Sequence, residues 1–341
     1  MRADLDELWR FVLRRPIEPE ERAATEARLA AGMSYASLLH ELATSDEFEH
    51  LRRLEDAVAW AAAQRRARER PRNLTAPAGV DERPVEIPWC LARLREDERV
   101  LDVGYAFAEG VYLDALAALG GVTGVDLVHR DVPGVETVQA DLRALPFADG
   151  AFDVAVAIST LEHVGRDNTQ YRLAPEQNDT LDAALRELRR VAARVLVTVP
   201  TGEHELLPEQ AVYEPSEWVA RFERAGFAVF EDELYELTAE GWRSVQALSP
   251  GLRYGARGPG ASAVLCAELR PATLGERLRL AVRDRRHRDE ARRATSRAAP
   301  RREQEQDRTR RHPAGDRHPD TGVAVRAVPT RRGRRSPTGA A

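Results

Sequence analysis

The sequence contains no lysine, and each of its 51 basic residues is an arginine. It has only two cysteines, Cys90 and Cys266, which lie far apart in the chain. Two cysteines are too few for a disulfide framework or for a zinc site made of cysteines. The absence of lysine also excludes a Tyr-x-x-x-Lys catalytic pair. We therefore expect no metal site, and chemistry that needs neither thiols nor a lysine amine.

Long apolar runs are missing as well. No segment approaches the roughly 20 consecutive apolar residues that a membrane-spanning helix needs. The chain starts Met-Arg-Ala-Asp-Leu-Asp-Glu, with acids where a secretory signal would have an apolar centre. We therefore expect a cytoplasmic protein without a membrane span.

The net charge of −5 is unevenly distributed along the chain. From residue 271 onward there are 20 arginines and 9 acidic residues, so the preceding part is strongly acidic. The acidic part has no basic stripe and no aromatic platform, which argues against a nucleic-acid partner. Segment 271–341 is rich in arginine and proline and poor in aromatic and aliphatic residues, so we expect a largely disordered tail.

Apolar residues at helical spacing predict a small all-α module over residues 1–58. Pro16, Pro19 and Gly32 interrupt this pattern where one helix ends and the next begins. Residues 59–80 start rich in arginine and alanine and continue with prolines and a glycine, which predicts a linker. The module has no cluster of ionisable residues that suggests chemistry.

Strand and helix patterns alternate over residues 81–270. Short apolar runs predict strands, followed in most cases by helices, at 100–103, 121–126, 135–140, 152–158, 195–199 and 227–230. A last strand at 261–269 has no helix before its turn, so we expect it to be antiparallel. The predicted fold is a Rossmann-like, doubly wound, mostly parallel α/β sheet after a small all-α domain.

Three acids stand at the carboxyl ends of successive predicted strands: Asp102, Asp126 and Asp141. In such sheets this edge is where ligands bind. Asp126 has the reach for the two hydroxyls of a ribose, and Asp141 can accept from an adenine amino group while Leu142 covers the ring. Each acid alone is more simply a helix cap. The three together favour a cofactor that contains a nucleoside.

The spacing of glycines argues against a dinucleotide. A dinucleotide fingerprint counted from Gly104 needs glycines at positions 106 and 109, where this chain has Ala106 and Glu109. The loop that reads Gly104-Tyr-Ala-Phe-Ala is poorer in glycine than most phosphate or nucleotide loops. We expect it to retain binding with a reshaped turn.

Residues 84–270 resemble a class I S-adenosylmethionine-dependent methyltransferase. The resemblance rests on successive motifs: Val100-Leu-Asp-Val-Gly, Gly124-Val-Asp, Ala140-Asp-Leu, Leu145-Pro-Phe, Phe152-Asp-Val, Glu162-His-Val and Val197-Thr-Val-Pro. It implies S-adenosylmethionine as cofactor. The cofactor-binding residues that it implies are Asp102, Gly104, Tyr105, Ala106, Asp126, Leu127, Asp141, Leu142 and Ser159.

A narrower resemblance concerns Glu86-Ile-Pro-Trp89 and the stretch from Leu161 to Tyr171, which are similar to a DUF268-like bacterial subgroup. Members of that subgroup occur among enzymes of surface-glycan assembly, which implies O-methylation of a sugar or other small hydroxyl acceptor. Glu162, Asn168 and Tyr171 are the residues expected to bind this acceptor. The alternative is a non-catalytic, S-adenosylmethionine-binding scaffold protein.

His163 is the candidate general base for two reasons. It follows the predicted fourth strand, and its imidazole has a pKa near neutrality. Asp167 is near enough in the chain to orient the ring and is the second catalytic candidate. The other interpretation is that His163 caps the strand or packs on the cofactor. Both interpretations remain open at this point.

The N-terminal segment resembles the small helical DUF4214 domain, through Leu8-Trp-Arg-Phe-Val-Leu-Arg-Arg-Pro, Gly32-Met-Ser and Leu42-Ala-Thr-Ser-Asp-Glu-Phe. This resemblance implies a docking module for a protein partner. A plain helical cap on the following domain is the other interpretation.

Overall fold

Four- to six-residue strands in which almost every residue is buried form the centre of the protein. The computed structural model describes residues 4–169, 178, 180–258 and 260–276. Its strands are β1 (Val100–Val103), β2 (Val122–Asp126), β3 (Glu136–Gln139), β4 (Val154–Ile158), β5 (Val195–Pro200), β6 (Glu205–Leu206), β7 (Ala211–Val212), β8 (Phe227–Thr238), β9 (Gly241–Val245) and β10 (Ala263–Pro271). Its helices are α1 (Leu5–Leu13), α2 (Pro19–Ala30), α3 (Tyr35–Ala43), α4 (Asp46–Arg66), α5 (Arg83–Leu91), α6 (Gly110–Ala117), α7 (Leu181–Val191) and α8 (Pro215–Arg224).

Eight strands form one sheet in the order β3-β2-β1-β4-β5-β10-β8-β9. Strands β1 to β5 pair in parallel, and β10 runs antiparallel to both β5 and β8. The predicted doubly wound fold and the predicted antiparallel last strand are confirmed. The strand order places the carboxyl ends of β2, β1 and β4 side by side, so one ligand can contact all three.

Side chains that alternate along the strands build a core on each face of the sheet. On one face Val154 and Val156 of β4 pack with residues of α4, α5 and α6. On the other, Ala155 and Ala157 pack with residues of α7 and α8. A separate small core joins α1 and α3 around Trp9 and Leu38. The sheet is thus the middle of three layers.

The sixth strand is longer than the predicted 227–230, and the strand that follows it was not predicted. Strand β8 is 12 residues long and folds back onto β9 as a hairpin. Trp242 of β9 is fully buried and its indole N–H donates to the Val80 carbonyl at 3.2 Å. The strand is hard to recognise in the sequence because charged residues interrupt its apolar pattern. Two of them, Glu233 and Glu236, are buried in the structure, and each forms an ion pair with an arginine.

The predicted boundary at residue 58 falls inside α4, whose Leu54, Val58 and Ala61 belong to the same core as the sheet. The first part of the predicted linker is the end of this helix. The rest, which we call the crossing segment (residues 67–80), packs along the hairpin, and Ala76 pairs with Trp242.

Ion pairs of Arg70 and Arg72 fix the crossing segment to the sheet. Arg70 pairs with the buried Glu268, and Arg72 Nε donates to Glu233 at 2.9 Å. The segment is therefore anchored to the sheet, although most of its residues are exposed. The predicted disordered tail, apart from its first six residues, lies outside the described residues. No helix in the described ranges is long and apolar enough to cross a membrane.

Candidate active site

A cavity of about 240 Å³ opens at the carboxyl ends of β1, β2 and β4. Its walls come from the turns that follow these strands and from the start of α5. The lining residues are Arg83, Ile87, Asp102, Val103, Gly104, Phe107, Ala108, Glu109, Tyr112, Val125, Asp126, Leu127, Ala140, Asp141, Leu142, Arg143, Ile158, Ser159, Thr160, His163, Val164, Gly165 and Asn168.

The turn after β1 depends on Gly104. Its φ of +85° lies in the left-handed region, and a Cβ there would stand 2.5 Å from the Thr160 hydroxyl oxygen. Any other residue would therefore be both strained and in collision with Thr160. Glycine lets the backbone form the cavity wall, and its N–H donates to the Val125 carbonyl at 2.9 Å.

Asp126 ends β2 with its carboxylate at the cavity wall. Oδ2 accepts from the Ala106 N–H at 3.0 Å, and Oδ1 accepts from the Val128 N–H at 3.1 Å. Partial burial raises its pKa, and these backbone hydrogen bonds oppose the rise. A carboxylate oxygen can accept more than one hydrogen bond, so both oxygens retain capacity for the two hydroxyls of a ribose. The geometry fits a nucleoside cofactor.

Asp141 follows β3 and is held by Arg143. The Arg143 Nη2 lies 2.6 Å from Oδ2, and its backbone N–H donates to Oδ1 at 2.8 Å. These bonds lower the pKa of Asp141 although partial burial opposes them. Leu142 lies beside it, buried, as an apolar wall. The predicted contacts of Asp141 and Leu142 with adenine stay predictions.

Asp102 is buried at the base of the cavity. It accepts a hydrogen bond of 2.6 Å from the Tyr112 hydroxyl. Burial raises its pKa to about 7, against the effect of the Tyr112 bond and with a smaller contribution from Asp126. Its charge is therefore sensitive to a cationic ligand such as a sulfonium.

The structure brings Leu127 and Ser159 to the same cavity, as predicted, but not Tyr105 or Ala106. Tyr105 is fully buried behind the turn, and its hydroxyl accepts from the Arg130 N–H at 3.1 Å. Its ring packs so closely on Gly124 that a Cβ there would lie 2.8 Å away. Tyr105 and Ala106 support the turn, because the first packs under it and the second holds Asp126 by its backbone.

His163 lines the cavity, just after β4. Its Nδ1 lies 2.6 Å from the Glu209 carbonyl, which can only accept, so Nδ1 carries the proton. In the neutral ring Nε2 is then the basic nitrogen. Burial lowers the pKa of His163, with the Glu209 bond opposing, so the neutral form predominates at neutral pH.

Asp167 does not provide the Nδ1 contact that its position in the sequence suggested, because the Glu209 carbonyl occupies it. Asp167 is instead turned to the backbone of its own loop and accepts from the Thr169 N–H at 3.0 Å. The expected orienting role of Asp167 is thus corrected to Glu209. Glu209 was missed because its contact is made by a backbone carbonyl, and a sequence does not show which carbonyl accepts a hydrogen bond.

The three predicted acceptor-binding residues have different surroundings. Asn168 lines the cavity and donates to the His163 and Arg166 carbonyls, each at 3.1 Å. Glu162 is buried behind the cavity, and burial raises its pKa well above the usual range. Tyr171 lies outside the described residues. Sequence reasoning missed Arg83 and Arg143; the only signal for Arg83 was its place three residues before Glu86.

One family model matches the part of the chain that carries most of this cavity. Residues 101–194 match the family model described as a methyltransferase domain. No curated protein matches the chain. Among solved structures, the 1,6-didemethyltoxoflavin-N1-methyltransferase of Burkholderia thailandensis, with bound 1,6-didemethyltoxoflavin and S-adenosylhomocysteine, is 15% identical with a TM-score of 0.39. The match covers 75% of this chain and 92% of that one.

An S-adenosylmethionine-dependent methyltransferase of Methanosarcina mazei is 16% identical with a TM-score of 0.35, over 52% of this chain and 94% of that one. The domain match spans β1 to α7, the elements that carry Gly104, Asp126 and His163. The family match over residues 101–194 supports a methyltransferase enzyme with S-adenosylmethionine as its cofactor.

Proposed function

We propose that this methyltransferase transfers the methyl group to a hydroxyl oxygen of a small acceptor, and that a sugar or glycan hydroxyl is the acceptor class. The observation that carries the proposal is His163, a neutral imidazole at the cavity wall whose Nδ1 proton is fixed by a backbone carbonyl. A hydroxyl is a poor nucleophile until a base can take its proton. Nε2 of His163 is suited to that role.

Bound S-adenosylmethionine supplies a methyl group on a positively charged sulfur. Nε2 of His163 accepts the hydroxyl proton while the oxygen forms its bond to the methyl carbon. Asp126 and the turn at Gly104 would hold the cofactor, whose sulfur would keep the electron pair of its bond to the methyl carbon. His163 ends protonated and returns its proton to solvent. The Glu209 carbonyl stabilises that cation, because it accepts from the Nδ1–H throughout.

The sugar class is supported by the resemblance of the 161–171 stretch to enzymes of surface-glycan assembly and by the polar character of the cavity mouth. Asn168 and His163 lie together there. A protein partner of the N-terminal helices belongs to the same proposal, as the role of the DUF4214-like segment. The cytoplasm is the proposed compartment.

The test is turnover by the His163→Gln and His163→Ala proteins. Incubation with S-adenosylmethionine and a panel of nucleotide sugars and glycan fragments, followed by mass spectrometry, identifies the methylated acceptor. Loss of a general base should lower turnover by roughly 10²–10⁴-fold. Affinity for S-adenosylhomocysteine, measured by calorimetry, should be unchanged.

His40→Gln, on the exposed face of α3, is the matched control and should turn over as the wild type does. If cofactor affinity and turnover fall together in the His163 variants, His163 is a cofactor contact and the proposed base is wrong. If only amines in an extended panel are methylated, the hydroxyl acceptor is wrong.

A further inference from the structure

Glu86, from the Glu86-Ile-Pro-Trp89 stretch, is a fully buried carboxyl beside the cavity. The Ser159 hydroxyl contacts both of its oxygens, at 2.8 and 3.0 Å, and Arg83 Nη1 lies 3.0 Å from Oε2. The Thr198 hydroxyl donates to it as well. Burying a carboxyl is unfavourable unless hydrogen-bond partners replace water, so these contacts are needed to keep Glu86 in place. Glu86 therefore ties two cavity residues, Arg83 and Ser159, to one fixed point.

The hydrogen bond between Ser159 and Glu86 also holds the backbone of Ser159 in an unusual conformation. Its φ of +43° lies in the left-handed region, which is strained for a non-glycine residue. Strain of this kind persists only where the surroundings impose it. The bond from the Ser159 hydroxyl to Glu86 imposes it here, at the point where β4 ends and the cavity begins.

The cavity has two ends, which lie on opposite sides of β1 in the strand order. Asp126 and Asp141 follow β2 and β3 on one side, and Ser159 follows β4 on the other side of β1. Since the first end suits the ribose and the adenine, the β4 end must receive the methionine moiety. That moiety carries a carboxylate, for which a guanidinium is the best-matched partner.

Among the described residues, two guanidiniums line the cavity, those of Arg83 and Arg143. Arg143 lies at the end of the cavity expected to hold the nucleoside, and its Nε and Nη2 donate hydrogen bonds to the Asp141 carboxylate. Arg83 stands at the β4 end, since Glu86 bonds both it and Ser159. Burial disfavours the charge of Arg83, but Glu86, Glu82 and other nearby carboxyls outweigh this and raise its pKa, so it stays cationic.

The carboxyls around Arg83 do not cancel its charge completely. Burial, with the nearby Glu86, raises the pKa of Glu82 to about 7, and burial also raises the pKa of Glu86. Glu82 is therefore partly protonated near neutral pH. A carboxylate from a ligand can complete the balance.

We propose that Arg83 binds the carboxylate of the cofactor's methionine moiety and that Glu86 is the positioning residue that sets Arg83 and Ser159 for it. The inference rests on the use of S-adenosylmethionine and is independent of the acceptor.

The test compares two ligands by calorimetry: S-adenosylhomocysteine, and methylthioadenosine, which has the nucleoside but no amino-acid group. Arg83→Gln should weaken S-adenosylhomocysteine by roughly ten- to a hundredfold, as expected for one charged hydrogen-bonded contact. Methylthioadenosine should bind the variant as it binds the wild type. Arg99→Gln, whose arginine pairs with Asp153 at the opposite end of β1, is the matched control and should leave both affinities unchanged.

Three more variants test the positioning role. Glu86→Gln should weaken S-adenosylhomocysteine and spare methylthioadenosine. Ser159→Ala keeps the strained backbone without its tether, whereas Ser159→Gly removes the strain, so the alanine variant should lose more affinity for S-adenosylhomocysteine. A merely structural Glu86 would weaken both ligands together.

An Arg83→Gln protein that is folded, by its thermal unfolding midpoint, and binds S-adenosylhomocysteine like the wild type overturns the inference while the cofactor assignment stands. A wild-type protein that binds neither ligand overturns the cofactor assignment itself, and the inference with it.

Discussion

Asp102 lies where the core meets the cavity, and its ionisation is linked to folding. Because its folded pKa of about 7 is above the ordinary value of 3.8, the folded protein binds the proton more tightly. Its contribution is fully present at low pH and is lost as the pH rises from about 4 to about 7. The loss amounts to no more than about 4 kcal/mol at 1.36 kcal/mol for each pKa unit.

The Asp102→Asn protein should not show this loss, since an amide cannot ionise and its oxygen still accepts from Tyr112. Thermal unfolding between pH 5 and 8, without ligand, measures the difference from the wild type. Asp131→Asn, at an exposed site, is the control and should follow the wild-type curve. Parallel curves for Asp102→Asn and the wild type would contradict the raised pKa.

Asp126 gives the sharpest test of the nucleoside end. Asp126→Ala removes the proposed acceptor of both ribose hydroxyls, and each charged hydrogen bond lost costs roughly 1.5–3 kcal/mol. We expect a loss of at least about tenfold in affinity for both S-adenosylhomocysteine and methylthioadenosine. Calorimetry on the folded variant measures it. Unchanged affinity would show that the diol binds elsewhere.

At the residue scale, the positions of the three acids and of His163 at one edge of the sheet could be predicted, because their spacing after strands fixes those positions. Their roles stay predictions. Sequence reasoning failed where the partner is backbone or comes from a distant element. Glu209 holds His163 through a carbonyl, and Glu86 reaches Ser159 across 73 positions of the chain. Neither relation leaves a pattern in the sequence.

At the scale of elements, α4 is the piece that decides how the N-terminal helices relate to the sheet. Leu54 is fully buried in the core that also contains β1 and β4 residues. Leu54→Ala should lower the free energy of unfolding by about 2–5 kcal/mol. Leu39→Ala on α3, at a position 43% exposed, is the matched control and should have little effect.

The measurement also tests whether residues 1–58 form a separate module. Adding S-adenosylhomocysteine raises the unfolding temperature of the domain that binds it. If Leu54→Ala lowers the temperature of that same transition, α4 is part of the methyltransferase domain. A second, ligand-independent transition that alone responds to Leu54→Ala would support the separate module.

Element prediction succeeded for the buried parallel strands, because a short continuous apolar run is typical of a strand covered on both faces. It failed for the β8–β9 hairpin and the crossing segment. Both carry many charges, and these charges find partners in the folded protein: Arg72 pairs with Glu233, and Arg93 of the turn after α5 pairs with Glu231 at 2.7 Å. A sequence shows the charges without showing that they are partners.

At the scale of the whole molecule, the strongly acidic part before residue 271 carries the described domain and its cavity. The arginine-rich remainder beyond residue 276 lies outside the described residues, so its expected disorder stays a prediction. Among the described residues, those that line the cavity come from 83–168.

The pairing of Ala76 with Trp242 has a consequence for self-association. A sheet is open to a neighbour's strand wherever its outermost strand is long and unpaired. Here the outer strand β9 is already joined by the crossing segment, with Trp242 N–H donating to the Ala76 carbonyl at 2.8 Å. At the opposite edge, β3 has four residues and presents Glu136 outward. Within the described part of the chain, each edge thus offers a second copy only a short row of free backbone groups, which disfavours edge-to-edge pairing between copies.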